Sequence, residues 1–125
     1  LEVAFEGHFP VSRDKMDKIL DKKNQELEFE FSGIGFVLGG YVQKFDQNNP
    51  EEAVLQLEMT IDNGTPEQFS MPSAFSKRRH EIAWKYQMTD GQHKVKIKLL
   101  NPTPGFNLKA EDLIVYASKE PEKSL

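Results

Sequence analysis

The chain has 125 residues, 38% of them hydrophobic and 29% charged, the balance of one globular domain rather than of a disordered or membrane-embedded segment. Sixteen Lys and Arg against twenty Asp and Glu leave a net charge of −4, which argues against nucleic-acid binding through phosphate neutralisation. The absence of cysteine removes disulfides, thiolate chemistry and Cys-ligated metals, and no apolar run approaches the roughly 20 residues of a spanning helix.

In chain order, Leu1 to Phe9, with Val3 and Phe5, is expected to form a first strand. Ser12 to Gln25 departs from alternation: Met16, Ile19 and Leu20 have i, i+3, i+4 spacing and Ser12 can cap, so a short helix over 13–21 or a charged connecting loop is expected. Leu27-Glu28-Phe29-Glu30-Phe31 alternates apolar with acidic residues and reads as a half-buried strand. Gly33 and Gly35 permit a reversal into Phe36-Val37-Leu38, apolar on both faces and suited to a central strand. Phe45 to Glu52, with Asn48-Asn49-Pro50, reads as a polar loop. Leu55 to Ile61 alternates again and ends at Asp62-Asn63-Gly64, residue types that tolerate a left-handed turn.

Thr65 to Lys77 reads as a long irregular excursion. The next expected unit is a hairpin: Ile82, Trp84, Tyr86 and Met88 alternate on one arm, and Val95, Ile97 and Leu99 on the other, about Asp90-Gly91. Its two-residue turn sets Trp84 opposite Ile97 and puts Trp84, Tyr86, Val95, Ile97 and Leu99 in the core. The outer face then sets Lys85 against Lys96, a repulsion that carboxylates from Glu28, Glu30 or Glu58 on a neighbouring strand relieve. Asn101 to Gly105 closes this unit, Leu113 to Tyr116 supplies a last strand, and Lys119 to Leu125 is a charged tail. Seven or so short antiparallel strands with turns between them define an all-β sandwich or barrel.

The search for catalytic chemistry finds parts without a constellation. His8, His80 and His93 have no metal-ligand spacing, and there is no nucleophile elbow, P-loop or dinucleotide fingerprint. No run resembles a calcium loop, and carboxylate pairs arise by chance among twenty acids. Asn63-Gly64-Thr65 matches a glycosylation pattern but reads as a turn. Neither a cofactor nor a metal is expected.

The order of Phe29 to Leu38, Ile61-Asp62-Asn63-Gly64 and Asp90-Gly91-Gln92-His93-Lys94-Val95-Lys96-Ile97 resembles the galactose-binding-like jelly-roll sandwich that accompanies many bacterial glycan-processing enzymes. Trp84-Lys85-Tyr86 through His93, Leu100-Asn101-Pro102 and Asp112 to Tyr116 are similar to a C-terminal sandwich appended to ADP-ribosylglycohydrolase-like proteins of gut bacteria. The resemblance spans about 27–118 and implies a jelly-roll β-sandwich in a single domain over 1–125, excised from a longer chain. It implies a non-catalytic accessory module, located in the periplasm or outside the cell, with carbohydrate as the ligand class and a catalytic domain of the same polypeptide as partner. The alternatives are a structural or protein-interaction domain packing on a catalytic partner, and a stand-alone hydrolase.

Loops carry binding groups on a rigid scaffold, so a ligand site is expected where aromatic rings meet guanidinium groups. Phe75 beside Arg78 and Arg79 in the 65–79 excursion, with Phe106 from the 101–107 loop, forms the expected site. Within Lys77-Arg78-Arg79-His80 the guanidinium forks suit sugar hydroxyls, although a basic run is also an ordinary solvated loop.

Overall fold

In a computed structural model, which describes residues 9–45, 48, 50–73 and 81–118, the described residues form eight strands. They are β1 (Phe9–Leu20), β2 (Glu26–Gly33), β3 (Gly35–Lys44), β4 (Val54–Ile61), β5 (Glu67–Pro72), β6 (Glu81–Lys85), β7 (Gly91–Leu99) and β8 (Phe106–Ala117). Two four-stranded antiparallel sheets, ordered β1-β8-β3-β6 and β2-β7-β4-β5, pack face to face. This strand order is that of an eight-stranded jelly roll. The sandwich expected from the sequence is the observed architecture.

Period-2 patterning produces the core where it is strict. In β2, Leu27, Phe29 and Phe31 point inward while Glu26, Glu28 and Glu30 point out, and β7 alternates likewise with Val95, Ile97 and Leu99 inside. Leu55, Leu57 and Met59 of β4 extend this layer, and Phe36, Leu38, Leu108, Leu113 and Val115 face it from the other sheet. Phe29, Phe31 and Phe36 meet across the sheets with ring centroids 5.4 to 6.4 Å apart. The central position expected for Phe36-Val37-Leu38 is confirmed, since β3 lies between β8 and β6 and buries both faces there.

Four expectations are corrected. Residues 13–21 form no helix: 13–20 lie within β1, paired to β8, and the register slips between Lys15 and Lys18, where Asp17 has a φ of 45°. The extra residue of this bulge throws Met16, Ile19 and Leu20 out of alternation and imitates helical spacing. The 65–77 excursion contains an edge strand, β5, which holds Met71 in the core between Pro66 and Pro72.

The 82–99 hairpin does not form. β6 pairs with β3 in one sheet and β7 with β2 and β4 in the other, joined by a crossing segment in which Gln87 takes a φ of 58°. Charge selects between the two arrangements. The hairpin would set Lys85 against Lys96, whereas the observed register sets Glu26, Glu28 and Glu30 against Lys98, Lys96 and Lys94, with Glu58 on the far side of Lys98. The Lys94 ammonium reaches the Glu28 carboxylate at 2.6 Å.

Trp84 is therefore not a core residue. Leu38 pairs with Ala83 but Gly39 with Glu81, so Ile82 is an extra residue; Ile82 and Ala83 are both buried, and Trp84 emerges 42% exposed. Tyr86 packs edge-on against Tyr116 on the outer face of the β3–β8 sheet, with ring centroids 5.6 Å apart. The first strand expected over 1–9 and the tail at 119–125 lie almost wholly outside the described residues.

Candidate functional site

Successive strands run in opposite directions between the sheets, so the connections alternate between two poles. One pole gathers the β1–β2, β3–β4 and β7–β8 connections, and β5 ends and β6 begins at the same pole. These segments are tied to one another. The Asn101 side chain accepts from the Gln56 amide at 2.6 Å and donates to the Val54 carbonyl at 3.0 Å. Ser73 Oγ accepts from the Ala53 amide at 2.8 Å and donates to the Glu52 carboxylate, which also holds Lys44 at 3.2 Å. The Phe45 amide donates to the Gly105 carbonyl at 3.0 Å.

A cleft of about 720 Å³ opens between the 21–25, 45 and 102–106 segments. Phe45, 63% exposed, presents its ring on one side. Elsewhere in the lining the Asp21 carboxylate accepts the amide protons of Lys23 and Asn24, both at 2.9 Å, in an Asx-turn that carries Lys22 and Lys23. Gln25 and Thr103 line the remainder, Gln25 Nε2 donating to the Lys22 carbonyl at 3.3 Å and Thr103 Oγ to the Asn101 carbonyl at 2.8 Å. The arrangement offers one apolar aromatic face beside ammonium donors, a carboxylate, an amide and a hydroxyl, all on cross-tied backbone. It can stack a ring with an apolar face and hydrogen-bond polar groups around its edge.

Of the four residues expected to form the site, Phe106 is 8% exposed, its ring in the core while it lines this cleft. Phe75, Arg78 and Arg79 lie outside the described residues; the connection they belong to joins β5 to β6. Sequence reasoning missed Phe45, which it placed in a polar loop. An aromatic at the first non-strand position before Asn48-Asn49-Pro50 has no alternation partner to bury it, and that was the available signal.

The opposite pole is organised by His93. Asp62 and Asn63 have φ of 52° and 57°, and the Gly64 amide closes the turn onto the Ile61 carbonyl at 2.9 Å, as its sequence predicted. The Asp62 carboxylate accepts from the Lys94 amide at 2.7 Å and from His93 Nδ1 at 2.5 Å, while His93 Nε2 donates to the Thr89 carbonyl at 2.5 Å. Both ring partners are acceptors, so the imidazolium form satisfies both. Burial depresses the His93 pKa, but the Asp62 hydrogen bond, the Thr89 carbonyl and the charges of Asp62 and Asp90 together outweigh it and raise the pKa. The His93 hydrogen bond, the Lys94 amide and the His93 charge lower that of Asp62. Among the described residues no cluster of His, Asp and Glu is arranged to hold a metal ion.

The fold is that of a jelly-roll domain with a cleft at its loop end. No protein-family model matches the sequence, and no curated protein matches it either. Solved structures similar to it include a Corynascus thermopiles (Myceliophthora fergusii) carbohydrate esterase family 2 enzyme plus carbohydrate binding domain, at 14% identity and a TM-score of 0.49, over 90% of this chain and 33% of that one. A family two carbohydrate esterase from Cellvibrio japonicus is similar at 15% identity and a TM-score of 0.41, over 88% and 33%. The CBM36-1 domain of a multidomain xylanase from the hindgut metagenome of Trinervitermes trinervoides is similar at 10% identity and a TM-score of 0.41, over 84% and 86%. The chain thus spans about a third of the length of either esterase.

Proposed function

We propose that this domain is a non-catalytic carbohydrate-binding module of a larger glycan-processing enzyme, ADP-ribosylglycohydrolase-like enzymes included, working in the periplasm or outside the cell. The observation that carries the reading is the Phe45 ring, 63% exposed on the wall of a cleft whose loops are locked together. A sugar presents C–H groups to such a ring and hydroxyls to the surrounding donors and acceptors. A preformed cleft lowers the ordering cost that otherwise weakens binding. We also propose that Phe75, Arg78 and Arg79, in the segment that joins β5 to β6, contribute to ligand binding together with Phe106 of the cleft lining.

Two features support an accessory role. His93 is committed on both ring nitrogens to Asp62 and Thr89, which makes it a structural group. Phe9 of β1 pairs with Ala117 of β8 at the pole opposite the cleft, so a catalytic domain joined there, through β1 or β8, leaves the cleft open.

Calorimetry with soluble oligosaccharides of the cello, xylo, manno and galacto series tests this. Phe45→Ala is expected to weaken binding at least tenfold, about 1.4 kcal/mol, with little change in melting temperature. Arg79→Ala is expected to act in the same direction. A sugar bound with undiminished affinity by both variants overturns the site, and failure of every series to bind overturns the function.

A further inference from the structure

We infer that the flank of the sandwich between edge strands β5 and β6 is a second saccharide-binding groove, in which the indole of Trp84 stacks a neutral sugar ring. This rests on the carbohydrate-binding reading but not on the cleft. The groove measures about 250 Å³ and shares no lining residue with the loop-end cleft. Met59, Phe69, Ile82 and Ala83 form its apolar floor, with Trp84 and Glu67 at its edge.

The local backbone turns Trp84 out of the core, onto the face of its pair partner Val37, and Trp84 lines the groove from that edge. Without the extra residue at Ile82, strict alternation would put Trp84 on the same inward face as Ile82; with it, Ile82 and Ala83 fill the core and Trp84 is left 42% exposed. Bulges that re-aim one side chain are common beside binding sites.

The polar groups at the groove define the ligand. Glu67 of β5 and Lys85 of β6 face each other across the gap at 3.6 Å, both well exposed. An exposed pair at that distance contributes little to stability, so either group can turn to a ligand at small cost. Together they offer an acceptor and a donor with no net charge. A neutral polyol satisfies both, whereas an anion meets Glu67 and a cation meets Lys85. A protein partner needs about 800 Å² on each side, more than this short apolar strip provides. A single sugar ring fits it.

Two sites on different sides of one small domain also have a mechanistic consequence. A polysaccharide that reaches both converts its second contact into an intramolecular one and gains avidity without further contacts.

Trp84 is the sole tryptophan of the chain, so its emission reports on this groove. The full chain is titrated with the four oligosaccharide series, following emission and acrylamide quenching. The expected result is a saturable blue shift and reduced quenching that persist in Phe45→Ala. Glu67→Gln is expected to raise the half-saturating concentration about tenfold, as for loss of one hydrogen bond to a charged group. A sugar that binds by calorimetry without altering emission or quenching overturns the groove and leaves the cleft standing. A fluorescence response accompanied by unchanged binding in Phe45→Ala and Arg79→Ala retains the groove and overturns the cleft. If no series binds, both readings fall.

Discussion

Gly40 sits where a methyl group has no room, and Gly40→Ala tests the register of the central strands. A Cβ at this position would lie 2.1 Å from the Lys109 carbonyl oxygen, 2.5 Å from Ile82 Cδ1 and 3.1 Å from Ala110 Cα. The Ile82 methyl can rotate away. The carbonyl cannot, because it belongs to β8, which is hydrogen-bonded to β1 on one side and β3 on the other. The close approach arises at the irregularity where Gly39 pairs with Asp112 and Gly40 with Ala110, leaving Glu111 as an extra residue in β8. Overpacking of this kind costs about 1–3 kcal/mol, and the reduced backbone freedom of Ala in the unfolded chain offsets only about 0.5–1 kcal/mol. A backbone contact this short puts the cost at the upper end of that range, so the expected net loss is about 2 kcal/mol, within the 5–15 kcal/mol typical of a domain, and the variant remains folded and measurable. Urea unfolding followed by circular dichroism should show a lower midpoint with an unchanged slope. The double variant G40A/I82V should recover only part of the loss. A G40A variant as stable as the parent would mean that the Lys109 carbonyl is not there, and would refute the β3–β8 pairing at the bulge.

Stability should also depend on pH through His93 and Asp62. The His93 pKa is raised above its ordinary 6.5, so its contribution is fully present below that value and is lost as pH rises through the folded-state pKa. The Asp62 pKa is lowered from 3.8, so its contribution is present above that value and is lost as pH falls through the folded-state pKa. Melting temperature should therefore peak between 3.8 and 6.5, and His93→Gln should flatten the fall on the alkaline side; an unchanged profile would contradict the imidazolium assignment. Ile82, 1% exposed, should cost about 2–5 kcal/mol on truncation to Ala, while native Trp84 emission should be accessible to acrylamide. Blue, unquenchable emission would instead restore the 82–99 hairpin. Gly105 has a φ of 85° and nothing within 4 Å of an added Cβ, so Gly105→Ala strains only the backbone. It should cost about 1 kcal/mol, and it should weaken glycan binding by shifting Phe45; unchanged calorimetry would separate this turn from the site.

Strand identity was largely legible in the sequence. Alternation is a local property of the extended chain, and Leu27–Phe31, Leu55–Ile61 and the 91–99 arm display it without reference to any partner. The Asp62-Asn63-Gly64 turn was legible for the same reason, because tolerance of positive φ belongs to the residues themselves. Partner choice was not. Asp90-Gly91 is competent for a tight hairpin, yet the glutamates of β2, far earlier in the chain, outcompete β6 for the lysine face of β7. The bulges at Ile82 and between Lys15 and Lys18 shift phase by one residue, which no local pattern announces, and they decided that Trp84 is exposed and that residues 13–20 are a strand. The loop-end site was legible only in part. Loops of the β5–β6 and β7–β8 connections were expected to hold it, but Phe45, Asp21 and Thr103 converge only because the jelly-roll order returns three separate connections to one pole. Local sequence determined which segments are strands and which faces are apolar; long-range pairing, driven by charge complementarity and core filling across the whole chain, determined which side chains meet.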